Sequence, residues 1–298
     1  MARFLIFSIS KKIKLMRTTK NILPVLMTVL MLTLALFSCK KKTPSGEVQV
    51  KLTDDPVTFP FISSVDVTIG KVELKNAETD EYITVFDGQG TYNIAGLTNG
   101  QTASLQITTL PAGDYDEVKV TITSVDVTLT DSRHFTMNFN GGITADSDIK
   151  PELHIADNGS ADLLLDFDLA ESLDFNTNGL DIINDVTQIS GLNDFDPDFR
   201  AVDMSQAGNI TGTVTDDNGQ TYAFAEVYVE ANDDLDGDGQ ADDVTTYTDA
   251  NGNFTLLALP PGTYTVHAKA QDGTELTSDT SVTVQAGGEV QVTAFHIN

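Results

Sequence analysis

The 298-residue chain has one cysteine, four histidines and no tryptophan, and it is short of positive charge, with 17 Lys and Arg against 44 Asp and Glu. A lone thiol allows neither a disulfide framework nor a Cys-based zinc cluster. His134, His154, His267 and His296 are scattered, with no His-x-x-x-His spacing, and read as surface or structural residues. The missing Trp removes the best stacking platform for a sugar ring. The formal net charge is −27. All six basic residues before Cys39 (Arg3, Lys11, Lys12, Lys14, Arg17 and Lys20) sit in an acid-free segment, and without them 11 basic residues face 44 acids, a charge of −33. Such a polyanion is repelled by nucleic-acid phosphates and anionic lipid surfaces, so binding either through a basic face is excluded. No Gly-x-Ser-x-Gly elbow, phosphate-cradling glycine loop or dinucleotide fingerprint is present.

The N-terminus carries an address. Ile22 to Phe37 is apolar apart from Thr28 and Thr33, shorter than the about 20 residues a membrane span needs. Arg17 and Lys20 precede it, and the small residue Ser38 stands before Cys39, the pattern of a secretory signal. Leu36-Phe37-Ser38-Cys39 resembles the lipobox of bacterial lipoproteins, which implies that Cys39 is diacylated on sulfur, released by cleavage and acylated on its new amino group. Residues 1–38 are then a cleaved lipoprotein signal peptide and 39–45 a tether, with Lys40 in place of the Asp that would retain a lipoprotein at the inner membrane. A start at Met16 gives a conventional signal and a start at Met1 a long leader; the expected start is Met16. The protein is expected outside the cytoplasm, anchored in the membrane by lipid, at the outer membrane of a diderm cell.

From Gly46 onward, short runs of Val, Ile and Thr alternate with polar residues between Gly, Asn, Asp and Pro, and no long helical period occurs. Val48, Val50 and Leu52 define one half-buried strand. In Val65-Val67-Ile69 followed by Val72-Leu74, the apolar phase slips by one residue at Gly70. It slips again near Ser124, between Val118-Val120-Ile122 and Val125-Val127-Leu129. A slip of one turns every later side chain to the opposite face, so each predicts a bulge or a change of sheet. Both slips adjoin copies of Ser-Val-Asp-Val-Thr (Ser64 to Thr68, Ser124 to Thr128), which argues for long, bent strands in a two-sheet structure. A second echo, Leu110-Pro111-Ala112-Gly113-Asp114-Tyr115 and Leu259-Pro260-Pro261-Gly262-Thr263-Tyr264, is a Pro-Gly turn feeding a strand whose Tyr can pack inward. The expected fold is all-β, with two β-sandwiches in series over residues 46–204 and 209–298, joined by a short, flexible Met204-Ser205-Gln206-Ala207-Gly208 linker.

Two resemblances follow. Val48 to Pro56, Val65 to Leu74, Leu110 to Tyr115 and Leu163-Leu164-Leu165-Asp166-Phe167-Asp168 resemble domain-of-unknown-function family 4382, found in bacterial envelope lipoproteins and without an assigned activity. Gly212 to Asp216, Gly219, Ala225 to Val229, Thr248 to Phe254 and Leu259 to Tyr264 resemble the carboxypeptidase regulatory-like domain, a transthyretin-like sandwich. That resemblance implies an accessory, stabilising module, in a superfamily some of whose members bind carbohydrate.

The sharpest local motif is Asp234-Leu235-Asp236-Gly237-Asp238-Gly239-Gln240-Ala241-Asp242. Oxygens at loop positions one, three, five and nine, with Gly at six, match the first part of a calcium loop. Asp234, Asp236, Asp238 and Asp242 would give side-chain oxygens and Gln240 its carbonyl. Position twelve is Thr245, not a bidentate Glu, so a weak structural calcium site of the extracellular kind is expected, the plain alternative being a solvated acidic hairpin. Asp166 and Asp168 share one strand face and read as the polar side of an amphipathic strand rather than a glycosidase pair. Asp54 and Asp55 before Pro56 read as a turn exit. No catalytic residue is assigned. The function expected is that of a lipid-anchored envelope binding or scaffolding protein that is not an enzyme, held to the membrane and meeting an unknown envelope protein or glycan. A carbohydrate-binding component of a glycan-handling system, an unrecognised hydrolase on the N-terminal domain and a purely structural adhesin-like module are the competing readings.

Overall fold

In Val-, Ile- and Thr-rich segments the chain forms strands almost exclusively, because β-branched side chains pack on a pleated surface and each buried Val, Leu or Ile contributes about 1.5–3 kcal/mol. The computed structural model describes residues 42–55, 61–177, 186–216, 218–230, 243–278, 281–292 and 295–297. The fold is all-β, as the alternation predicts. The first ten strands are β1 (Ser45–Asp55), β2 (Ile62–Asn76), β3 (Tyr82–Asn93), β4 (Ala103–Pro111), β5 (Gly113–Leu129), β6 (His134–Ile155), β7 (Ser160–Asp168), β8 (Leu173–Asn176), β9 (Gly191–Phe195) and β10 (Asp198–Asp203). One short helix, α1 (Leu169–Ser172), follows β7. Eight strands run in the order β3-β2-β5-β6-β10-β7-β1-β4, and β8 pairs with β9. The link between β6 and β10 is a single pairing, Ala201 to Ile149, so the sheet divides there into two layers around one core.

Both apolar slips are bulges. Register shifts fall between Ile69 and Lys71 on β2 and between Ile122 and Ser124 on β5. Each extra residue restores the phase, so Val65, Val67, Ile69, Val72 and Leu74 all reach the same core and are fully buried. The two bulges face each other. A Cβ on Gly70 would lie 2.8 Å from Cγ2 of Thr123, whose hydroxyl donates to the Thr68 carbonyl at 3.3 Å. The two Ser-Val-Asp-Val-Thr copies are antiparallel neighbours, with Val65 opposite Val127 and Val67 opposite Val125.

The second sandwich has its own core, from Ile210 to Phe295. One layer is β14 (Asn253–Leu259), β11 (Gly208–Thr213) and β19 (Glu289–Val292); the other is β13 (Asp243–Tyr247), β12 (Glu226–Glu230), β16 (His267–Lys269), β17 (Glu275–Ser278) and β20 (Phe295–Ile297); β15 (Gly262–Tyr264) pairs with β18 (Val282–Val284). The two Pro-Gly turns act alike. Tyr115 is fully buried and its hydroxyl donates to the Pro111 carbonyl at 2.9 Å, and Tyr264 donates to the Pro260 carbonyl at 2.8 Å.

Where small residues suggest a flexible joint, the chain makes a hydrogen-bonded turn. Ser205 donates to Oδ1 of Asp203 from its amide (2.8 Å) and its hydroxyl (2.7 Å). Met204 N–H donates to the Asp162 carbonyl, Gln206 N–H to that of Asp203 and Gly287 N–H to that of Ala207. The small side chains fit a tight crossing between two packed bodies, which is a different use of the same composition.

Candidate functional site

The strongest concentration of buried polar chemistry among the described residues lies where the two sandwiches meet. Parallel pairing of β1 with β7 sets Thr53 beside Asp166 and Asp55 beside Asp168, and antiparallel pairing of β7 with β10 sets Arg200 beside Asp166 and Asp198 beside Asp168. Strand β7 is buried on both faces. Leu163, Leu165 and Phe167 enter the first core, while Leu164 joins Val202, Ala207 and Ala258 in a small separate cluster with Met204 and Leu257. The side that carries Asp166 is therefore not the solvated face of an amphipathic strand, because the second sandwich covers it.

Arg200 is the centre of this junction, at 7% exposure against 5% for Asp166. Its Nε and Nη2 donate to Oδ2 of Asp166 at 3.0 and 2.6 Å, and Nη1 and Nη2 donate to the carbonyls of Ala258 and Leu257, both at 2.9 Å. One guanidinium thus ties β7 and β10 of the first sandwich to the end of β14 in the second. Ala258 has φ of 55°, an unusual conformation for a residue with a Cβ, and its N–H donates to Oδ1 of Asn209 at 3.0 Å. A second tie runs from the loop after Leu97. Asn99 donates from its backbone to Oγ1 of Thr246 (3.2 Å) and from Nδ2 to the Asn253 carbonyl (3.2 Å). The third is Thr245 N–H to Oδ2 of Asp55, at 3.4 Å.

Asp54, Asp55, Asp166 and Asp168 share this region with the Arg200 guanidinium. Asp168 caps α1, its Oδ1 accepting from Ala170 N–H (2.7 Å) and Glu171 N–H (2.9 Å), yet burial still lifts it above the ordinary aspartate range. Burial also lifts Asp166, and Arg200 draws it back. Burial lifts Asp55 well above its usual value, with Asp166 and Asp168 adding to the rise. Asp54 is pushed well up by burial first and then by the charges of Asp166, Asp55 and Asp168. It continues the inward phase of Val48, Val50 and Leu52, and among the described residues neither of its carboxyl oxygens has a hydrogen-bond partner. Sequence alone puts Asp54 and Asp55 in a turn exit and Asp166 on a solvated face, and does not pick out Arg200; the structure brings all of them together. Asp54 and Asp166 are each only 5% exposed, and Asp166 is engaged by Arg200.

Cys39 and the calcium-loop residues Asp234, Asp236, Asp238, Gln240 and Asp242 fall outside the described residues. The strands on either side of that loop, β12 and β13, are paired, with Glu230 opposite Asp243. Burial and the Glu230 charge lift Asp243, while His267 pulls it down. Thr245, the loop's twelfth position, is the β13 residue that meets Asp55. Of the histidines, His134 approaches Asp126 at 3.5 Å, His154 contacts Asp114 at 2.6 Å, and His267 stacks on Tyr228 with ring centroids 5.2 Å apart. His296 lies on β20. Among the described residues, no group of three or more His, Cys, Asp or Glu side chains is placed to hold a metal ion, and no helix is long and apolar enough to cross a membrane.

With the architecture established, the chain can be set against known proteins. Residues 45–183 match the family model described as Domain of unknown function (DUF4382), and residues 209–296 match the Carboxypeptidase regulatory-like domain. The chain thus joins a DUF4382 domain to a carboxypeptidase regulatory-like domain, in that order. No curated protein matches it. Among solved structures, the Bacillus anthracis TIE protein is 12% identical with a TM-score of 0.23; 93% of this chain is covered, and it spans 45% of that protein's length. The major pilin subunit BcpA of Bacillus cereus is 12% identical with a TM-score of 0.21, covering 85% of this chain and 70% of the pilin. A leucine-rich repeat protein from Bacteroides thetaiotaomicron is 14% identical with a TM-score of 0.19, covering 84% of this chain and 26% of its own. At such scores these likenesses carry no argument about how this chain works.

Proposed function

We propose that this protein is a lipid-anchored scaffolding arm of the cell envelope, without catalytic activity of its own. The observation that carries this reading is the junction. Two sandwiches that could have been strung on a loose linker are instead clamped by a buried Arg200 bonded to both, which suits a rigid spacer that holds a distal surface at a set distance. The domain kinds support it, since carboxypeptidase regulatory-like domains resemble accessory modules and the DUF4382 family has no assigned activity to set against it. The lipid anchor rests on Cys39 as the only cysteine of the chain, following Leu36-Phe37-Ser38. Acyl chains on Cys39 would sit in the bilayer, the Lys40 to Ser45 tether would cross the headgroups, and the acidic sandwiches would project into water.

Calcium belongs to the same proposal. Asp234, Asp236, Asp238 and Asp242 in a nine-residue stretch repel one another, and Glu230 opposite Asp243 adds charge at the base of the hairpin. A cation bound there would neutralise the loop and stiffen it.

The anchor is tested by labelling cells with a fatty-acid analogue and fractionating them. Wild-type protein should incorporate label and sediment with membranes, and Cys39→Ser should do neither. Unlabelled wild-type protein in the soluble fraction would refute the anchor.

A further inference from the structure

We propose that the Asp54 side chain is a protonated, neutral carboxylic acid in the native protein at neutral pH, and that folding is therefore coupled to proton uptake, with the native state firmer in mildly acidic surroundings and weaker in alkaline ones. The inference stands on the burial of this side chain and holds whether or not Cys39 is acylated.

Geometry carries it. Asp54 occupies an inward position of β1, in the phase of Val48, Val50 and Leu52, is 5% exposed, and has no hydrogen-bond partner for either oxygen among the described residues. Burying an ionised carboxylate without a donor is far more costly than burying its neutral acid. The charges nearby make ionisation harder still. On its own strand Asp55 follows it, on the neighbouring β7 Asp166 and Asp168 flank its partner Phe167, and Asp198 of β10 lies opposite Asp168. On the second sandwich, Tyr247 of β13, near Asp55, is held up to about 12 by burial first, then by the charges of Glu226 and Asp55, so it stays neutral and adds no charge. The cation of this junction among the described residues is Arg200, and its hydrogen bonds go to Asp166, Leu257 and Ala258, none to Asp54. Among the described residues, no group of three or more His, Cys, Asp or Glu side chains is placed to hold a metal ion.

The strand end that carries Asp54 is held on both sides. Asp54 N–H donates to the Leu97 carbonyl, two residues before Asn99 bonds to the second sandwich, and the adjacent Asp55 accepts from Thr245 N–H. The direction follows from linkage. With the native value above the unfolded one, the native chain holds more protons between the two, so stability is complete below the unfolded aspartate range and declines as pH rises through the native value. That is opposite to the behaviour of a salt-bridged aspartate.

The test compares the full chain with its Asp54→Asn variant, which is uncharged at every pH. Between pH 5.5 and 8.5 the wild-type melting temperature should fall by about 3 °C or more beyond any fall in the variant, and at pH 8.5 the variant should melt higher than wild type. Using the difference removes the general repulsion of a −27 chain. Equal falls, or a variant that melts lower at pH 8.5, would overturn the proposal. Should the variant fail to fold, infrared spectroscopy of wild type decides. A protonated-carboxyl band at pH 7 that disappears on unfolding supports the proposal, and absence of that band in the native protein refutes it.

Discussion

A tyrosine hydroxyl that reaches back four residues to a proline carbonyl fastens the same turn in each sandwich. Tyr115 bonds to Pro111 and Tyr264 to Pro260, in Leu-Pro-x-Gly-x-Tyr contexts that echo one another along the chain. Periodicity alone shows that each ring turns inward. The destination of the hydroxyl is not legible in sequence, because it depends on the exact path of the turn. Phe at either site keeps the ring and strands the carbonyl, so Tyr115→Phe and Tyr264→Phe should each cost about 1 kcal/mol, read from denaturant or thermal unfolding. Asp54 is the converse case. Its place in the apolar phase of β1 is plain from the alternation, but a neighbouring Asp and Pro make the end of a strand look like a turn.

At the level of strands, bulges are the feature that sequence displays best. A slip in alternation at Gly70 and near Ser124 can be seen locally, since one extra residue leaves a local trace. That the two bulges sit against each other cannot be seen, because it needs the pairing of β2 with β5. Gly70→Ala should therefore destabilise the protein by about 1–3 kcal/mol, as its Cβ would lie 2.8 Å from Cγ2 of Thr123. Adding Thr123→Ala should recover more than half of that loss, and strict additivity in thermal melts would show the contact to be unimportant. The polar side of β7 misleads for a related reason. Alternation reports which residues share a face, and says nothing of what covers it, so a strand covered by a second sandwich looks the same in sequence as one facing water.

Across the whole molecule, the division into two all-strand bodies is readable from turns and alternation, while their fusion is not. Arg200 lies 34 residues from Asp166 and 58 from Ala258, and no local pattern marks it. At this scale the acidic hairpin between β12 and β13 also matters. Millimolar calcium should raise the melting temperature of wild type and leave an Asp236→Asn/Asp238→Asn variant unmoved, and no shift in wild type would end the metal proposal. The central claim is that the two sandwiches form one mechanical unit through the Arg200 clamp. Removing that guanidinium leaves Asp166 buried without its cation, so Arg200→Ala should lose about 3–5 kcal/mol, and Arg200→Lys should not restore it because an ammonium cannot span the same three acceptors. Scanning calorimetry of the full wild-type chain tests the claim most directly. A single cooperative transition that splits into two in Arg200→Ala is expected, and two independent transitions in wild type would contradict it.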